Sequence, residues 1–362
     1  MTRRGPLTLS GRELDLIRAA VAPPAEAGAA WSRWAAEQPP AAADWRSQQL
    51  LAYVVERLGP DVVDAPTRDW VKLQRRRIWA DNQLDLAALG SAIDLLADLV
   101  SEPIVIKGAA MIDTVYPPGL RAMGDADLVV GPDAYEGAIE RLLEAGWTAV
   151  DRVSDRHVSR AVALASPNGR SLDLHRWVLF PRSIRRPGVE LIDRAVPDGP
   201  FGARRLDWAD SIVLAALQGP DGGQASSLRW PIDVAVLARH AGGDVWDRVE
   251  QGAESLGVGR PVGESLDWLR RETGVGPEAE RCARMCRQPY DRWLAAEWAW
   301  RRRGGSTDAK LRTYRDISRA LDRRPTPVGY AAARWAVFRE SGGAGPFLRR
   351  RWAQLNNTFR GD

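Results

Sequence analysis

The sequence predicts an α+β protein in which a small mixed-sheet lobe of roughly a hundred residues sits between two helical regions. Three observations carry that expectation. Apolar side chains recur at helical spacing through the first hundred residues, short apolar runs of strand length cluster between positions 101 and 204, and helical spacing returns from 205 onward. At 362 residues the chain also exceeds what one hydrophobic core ordinarily organises. The regions are therefore read as 1–100, 101–204 and 205–362.

In the first region, Ser10 stands three residues before Glu13 and opens an apolar stripe through Leu14, Leu16 and Ile17, the pattern of a capped helix start. Ala22-Pro23-Pro24 ends that helix, Pro39-Pro40 breaks a Trp-rich second one, and Gly59-Pro60 stops a third over 45–58. The stretch 67–100 is long and periodic, with Gly90 marking a break or a close packing contact. In the second region, Ile104-Val105-Ile106 suits a short buried strand, and Gly108 opens a helix expected to run through Tyr116 to Pro117-Pro118-Gly119. A strand over 127–130, a helix over 135–144 stopped by Gly146, and strands over 158–165 and 171–178 follow; Pro167-Asn168-Gly169 supplies the hairpin turn between the last two. In the third region, helical patterns cover 207–217, 231–240, 244–256, 264–272, 278–286, 290–303, 308–321 and 328–339, with no fixed repeat period.

Composition narrows the function classes. Hydrophobic residues at 45% and charged residues at 27% are the balance of a folded protein, not of a disordered one. Sixteen tryptophans point to core and interface anchors, because an indole buries a large apolar area. The net charge of +4 is small for this length, a weak footprint for nucleic acid. Of 51 cationic residues only Lys72, Lys107 and Lys310 are lysines, and arginine suits bidentate contacts to phosphate or carboxylate. Runs such as Arg301–Arg303 and Arg349–Arg351 read as solvated helix ends. Cys282 and Cys286 lie one helical turn apart without His or Cys neighbours to complete a metal site, so they read as packing thiols in a reducing compartment. With no apolar stretch of signal or membrane-spanning length, a cytoplasmic location and no membrane partner are expected.

The chemistry concentrates in Arg121-Ala122-Met123-Gly124-Asp125-Ala126-Asp127-Leu128-Val129-Val130. Residues two apart on a strand face the same way, so Asp125 and Asp127 should project together. Paired carboxylates are costly unless a cation neutralises them, and oxygen donors suit Mg²⁺. Asp173 and His175 fall in one register in Ser171-Leu172-Asp173-Leu174-His175, and a neighbouring strand would set Asp173 beside the first two acids. Three carboxylates are what a two-metal phosphoryl or nucleotidyl transfer site uses. Lys107-Gly108 ends the first strand at a helix start, where free backbone N–H groups and a lysine charge would hold phosphate, or where the lysine is simply solvated. Arg121 would pair either with a phosphate or with Asp125, and His175 either packs against Trp177 or supports the site. His157 and His240 receive no role.

In this order, Lys107-Gly108, Tyr116, Arg121 with Met123, Asp125 and Asp127, Asp173-Leu174-His175, and Arg229-Trp230 with Asp233 resemble the uncharacterised bacterial nucleotidyltransferase family of the DNA polymerase β superfamily over about residues 80–240. The resemblance implies a nucleotidyltransferase fold, an NTP donor (ATP first among them) and Mg²⁺ held by Asp125, Asp127 and Asp173 as the catalytic set. Lys107, Gly108, Ala109, Arg121 and His175 would then contact nucleotide. Two positions depart from the family. Ala109 stands where many active members carry Gly or Ser, keeping the backbone N–H without a hydroxyl, and Gln218 stands where the family tends to histidine. Kinase motifs and a Walker A loop are missing, and the apolar run follows the Asp pair, the reverse of aspartate-nucleophile phosphatases. The expected activity is NMP transfer from an NTP to an unidentified hydroxyl on a small molecule, a protein or tRNA. The competing readings are a non-catalytic nucleotide- or partner-binding module on the same fold and a toxin-like transferase acting on tRNA.

Overall fold

The computed structural model describes residues 9–150, 161–179, 189–218 and 228–289. The helices anticipated over 290–303, 308–321 and 328–339, both Arg-rich runs, Lys310 and His157 lie outside the described residues. Helix α1 (Gly11–Val21) starts where Ser10 and Glu13 foretell it: the Ser10 Oγ accepts from the Glu13 N–H at 3.2 Å while the Glu13 carboxylate accepts from the Ser10 N–H at 2.9 Å. Pro24, the residue that bars α1 from continuing, is the first residue of α2 (Pro24–Glu37), where its missing N–H costs nothing. Asp44 and Asp64 cap α3 (Trp45–Leu58) and the long α4 (Ala65–Leu96). Helix α4 runs unbroken through Gly90; the Phe201 ring lies against that glycine, 3.1 Å from where a Cβ would stand.

Six strands form one mixed sheet in the order β3–β4–β5–β2–β1–β6, namely β1 (Ile104–Ile106), β2 (Ala126–Val129), β3 (Thr148–Ala149), β4 (Ala161–Ala165), β5 (Ser171–His175) and β6 (Arg204–Arg205). β2 runs antiparallel to β1 and parallel to β5, while β1 and β6 are parallel. The β4–β5 hairpin closes through Ser166–Arg170, with Gly169 at φ +75° as an Asn-Gly turn requires. Two elements of the lobe are shorter than their sequence suggests. The helix after β1 is a single turn, α5 (Gly108–Met111), because the chain then doubles back in a tight turn whose ends bridge at Ile112 and Tyr116. The strand containing Asp173 stops at His175 instead of reaching 178.

Period-two alternation sorts the sheet into two faces. Val105, Ala126, Leu128, Val162, Leu164, Leu172 and Leu174 share a buried cluster with Leu89, Ile93 and Leu96 of α4 and with Tyr135, Ile139 and Leu142 of α6 (Tyr135–Glu144). On the opposite face Ile104, Ile106 and Val129 join the larger cluster built by the remaining helices. Those are α1–α3 together with α8 (Trp208–Gln218), α9 (Trp230–Ala241), α10 (Val245–Ser255), α11 (Gly259–Thr273) and α12 (Ala279–Arg287); α7 (Val189–Asp193) is a short connecting turn. Trp31 stacks on Trp34 and Trp230 tilts against Trp268 within that cluster, whereas Trp45 and Trp79 are exposed. Cys282 is buried on α12, and burial followed by the nearby Asp267 pushes its thiol up to about 11, as befits an inert packing residue. None of the described helices is long and apolar enough to cross a membrane.

The loop from Pro117 to Asp125 carries the chain from α5 back to β2, and Gly119 is its tightest point. It adopts φ +75°, and a Cβ there would meet the Arg75 carbonyl and lie 2.8 Å from the Arg75 Cγ. Gly119→Ala is therefore expected to lower unfolding stability by about 2–4 kcal/mol, from left-handed strain and overpacking together. Urea denaturation checks this; an unchanged midpoint would show that α4 and the loop are not held in contact.

Candidate functional site

The parallel pairing of β2 with β5 sets Asp127 directly opposite Asp173 and Val129 opposite His175. Directly opposed residues share a face, so Asp127, Asp173 and His175 lie together on the face turned toward α8 and α9. A carboxylate oxygen of each aspartate and a ring nitrogen of His175 fall within 4.8 Å of one another, a set able to hold a metal ion. Asp125, at the bend just before β2, does not enter that group, but it lines the same cleft as Asp127. The cleft has a volume of about 180 Å³. Among the described residues its charged lining is three cations, Lys107, Arg121 and Arg229, against three carboxylates, Asp125, Asp127 and Asp233.

Asp127 is the electrostatic centre. It is 2% exposed, and its Oδ1 accepts from the Lys107 ammonium while lying 2.8 Å from the His175 Nε2. Burial alone would push this carboxyl up; the Lys107 charge and the His175 contact outweigh it and hold Asp127 well below the usual carboxylate range. An ionised carboxylate only accepts, so the His175 Nε2 carries the hydrogen in this contact. Asp125 goes the other way: burial, then repulsion from Asp127, raises its carboxyl against the opposing charges of Lys107, Arg229 and Arg121. Two neighbouring acids with opposed environments are a pattern typical of catalytic sites.

Lys107 owes its reach to an unusual backbone. It sits between β1 and α5 at φ 54°, ψ −128°, a left-handed conformation that favours glycine. Because Ile106 pairs with Asp127 across β1 and β2, the next residue is well placed to send its side chain over the end of β2. The Arg121 guanidinium lies so close above Gly108 that a Cβ there would collide with its terminal nitrogen. Any larger residue there would have to displace the Arg121 guanidinium from its place beside Asp233. Ala109 is buried in the cluster beneath the sheet and is not among the residues lining the cleft.

Arg121 does not pair with Asp125. Its Nε and NH2 donate in parallel to the two oxygens of Asp233 on α9, each at 2.9 Å, and the Tyr116 hydroxyl donates to the same carboxylate at 2.8 Å. Burial followed by the Asp233 charge keeps Tyr116 protonated far above its ordinary range. Asn82 was not singled out from the sequence, and Arg229 was named there only as part of the family resemblance. The buried Asn82 of α4 donates to the Arg121 carbonyl at 2.8 Å and accepts from the Met123 N–H at 3.1 Å, clamping the backbone just ahead of Asp125. An asparagine inside a long helix was the available signal, since helix interiors disfavour it. Arg229, at the start of α9, donates to the Ala122 carbonyl at 2.7 Å and lines the cleft; burial, then the nearby Arg121 charge, lowers its pKa. Gln218, at the end of α8, lines the cleft as well.

Residues 41–271, more than half of the chain, match a family described as "Uncharacterised nucleotidyltransferase". No curated protein matches the chain. All residues of the cleft and of the Asp127–Asp173–His175 group fall inside the matched span.

Breaking the Arg121–Asp233 pair by Asp233→Asn leaves a buried guanidinium without its counter-charge, and a loss of about 3–5 kcal/mol is expected in denaturant unfolding. A loss under about 1 kcal/mol would remove this pair from its place as the tie between α9 and the lobe. The opposed shifts of the two acids have a second consequence. Asp125, raised on folding, costs stability once pH exceeds its unfolded pKa, so Asp125→Asn should raise the melting temperature at pH 7, the gain fading as pH falls toward about 3.9. Asp127, depressed on folding, contributes stability above its unfolded pKa that is lost as pH falls through the folded value. Asp127→Asn should therefore lower the melting temperature at pH 7. Calorimetric scans with chelator present read both signs, and equal signs would refute the assignment.

Proposed function

The chain belongs to the uncharacterised nucleotidyltransferase family, and from that premise we propose that it transfers a nucleoside monophosphate from an NTP, ATP in the first instance, to a hydroxyl acceptor with the help of Mg²⁺. The observation that carries the reading is the side-by-side placement of Asp127 and Asp173 with His175. Asp127 is held ionised and both acids supply hard oxygen donors, the chemistry Mg²⁺ selects, with Asp125 on the cleft wall as a further donor. The fit is therefore good on the side of the protein. Bound there, Mg²⁺ would neutralise triphosphate charge and lower the pKa of the acceptor hydroxyl.

The chain's own groups supply the rest. His175 donates to Asp127 and fixes the direction in which its oxygens point. Lys107 and Arg229 place positive charge along the cleft where the triphosphate would lie, and Arg121 fixes its shape through Asp233. Asp173, half-buried beside Asp127, would take the proton of the attacking hydroxyl. In the reaction so drawn, the acceptor oxygen bonds to the α-phosphorus and the bond from that phosphorus to the pyrophosphate oxygen breaks, its electron pair leaving with pyrophosphate. A cytoplasmic setting, rich in NTP and Mg²⁺, suits this chemistry.

The test is incubation of the protein with each of the four α-³²P-labelled NTPs and a cell extract. Asp127→Asn and Asp173→Asn are each expected to cut labelling about a hundredfold or more while leaving the far-ultraviolet dichroism unchanged. Labelling by either variant at the wild-type level would overturn the proposal. Tight nucleotide binding that ignores Mg²⁺ and gives no label would favour a binding module on the same fold, a reading with some support in the internal neutralisation of Asp127 by Lys107.

A further inference from the structure

We propose that Lys107 is a resident counter-cation that an incoming divalent metal evicts from Asp127, and that the evicted ammonium then grips the triphosphate, coupling metal entry to nucleotide binding through one side chain. The inference rests on the nucleotidyltransferase reading and deepens it.

The geometry at one oxygen is the starting point. The Lys107 Nζ and the His175 Nε2 both converge on the Asp127 Oδ1, and a carboxylate oxygen has two in-plane lone pairs to give. With both engaged, a metal ion binding at that oxygen must remove one donor. Binding at the neighbouring Oδ2 instead would set a doubly charged ion against the ammonium, and repulsion would have the same result. The two donors differ in freedom to leave. His175 is 1% exposed and belongs to the body of the sheet, whereas Lys107 is 26% exposed and carries its charge on a flexible four-carbon stem.

The backbone and the cleft point the same way. The chain carries a lysine at φ 54°, where glycine would be the relaxed choice, and that conformation accompanies the contact of Lys107 with Asp127. A buried acid without a counter-charge is strongly destabilising, so a site whose metal comes and goes benefits from an internal substitute. Lys107 also lines the cleft, which gives the ammonium somewhere to go. Arg121, the neighbouring cation, is committed to Asp233 by two hydrogen bonds, so it is not the group that exchanges. The swap leaves neither anion without a cation: the metal replaces the ammonium at Asp127, adding one positive charge there, and the ammonium meets the anionic triphosphate.

The experiment uses the full chain with Mn²⁺ as the probe, free Mn²⁺ being counted by electron paramagnetic resonance without nucleotide. Lys107→Met and Lys107→Gln should each bind Mn²⁺ about tenfold tighter or more than wild type, since no ion pair has to be broken. In parallel, wild-type lysines are acetylated with acetic anhydride and quantified by mass spectrometry, with Lys72 and Lys310 as internal references. Mn²⁺ should increase acetylation of Lys107 several-fold, and further addition of α,β-methylene ATP should suppress it. Unchanged or weaker Mn²⁺ affinity in both folded variants, or Lys107 acetylation indifferent to saturating Mn²⁺, would overturn the exchange while leaving the metal site standing. Failure of wild type and variants alike to bind Mn²⁺ would remove the metal reading and this inference with it. If the variants do not fold, wild-type acetylation decides alone.

Discussion

The register between β2 and β5 is the constraint on which the rest depends. Side chains alternate faces with a period of two, so a slip of a single residue would turn Asp173 and His175 into the cluster under α4 and expose Leu172 and Leu174 in their place. The apolar residues that alternate with the acids therefore do two things at once. Ala126, Leu128, Leu172 and Leu174 bury one face, and by doing so they fix where Asp127 and Asp173 meet on the other. The chemistry of the site is held in place by hydrophobic burial on the opposite side of the same strands.

Charge balance constrains the site as firmly as the register does. Water contributes little to solvating a carboxylate as buried as Asp127, so each ion must be compensated by protein. Lys107 and His175 serve Asp127, while Arg121 and Tyr116 serve Asp233. Asp125 is the acid left at an energetic disadvantage, and such local disadvantage is a common mark of a site shaped for a ligand rather than for stability. The Arg121–Asp233 contact also welds α9 to the loop ahead of β2, with Asn82 of α4 bracing that loop from behind. Two distant helices, α4 and α9, thus hold one short stretch of backbone.

Much of this was legible beforehand, and the reasons are local. Ser10 with Glu13 and Asn168-Gly169 each encode their own geometry within a few residues. The alternation in Ala126–Val129 and in Ser171–His175 announced which side chains share a face. What escaped depends on distance along the chain or on very short elements. Two-residue strands such as β3 and β6 carry no readable period. The early end of α5 is set by a turn between Ile112 and Tyr116 that an apolar run cannot foretell. Arg121 finds a partner 112 positions away, and no local pattern distinguishes that partner from the nearer Asp125. Asn82 required knowing that α4 passes behind the loop.

The described helices before and after the sheet lobe share one core, and that has a kinetic consequence. Arg18 of α1 donates to the Glu272 carbonyl at 2.9 Å and pairs with the Glu272 carboxylate, a contact spanning 254 positions. At a synthesis rate of about 5–20 residues per second, the amino-terminal helices wait some 13–50 s before that partner is made. During the interval Leu16, Ile17, Trp31 and Trp34 have early partners such as Leu51 and Val54 of α3 but lack the cover that α9 and α11 later supply. A ribosome-bound chain of this protein therefore spends most of its synthesis with an unfinished apolar surface, the stage at which chaperones have the most to protect.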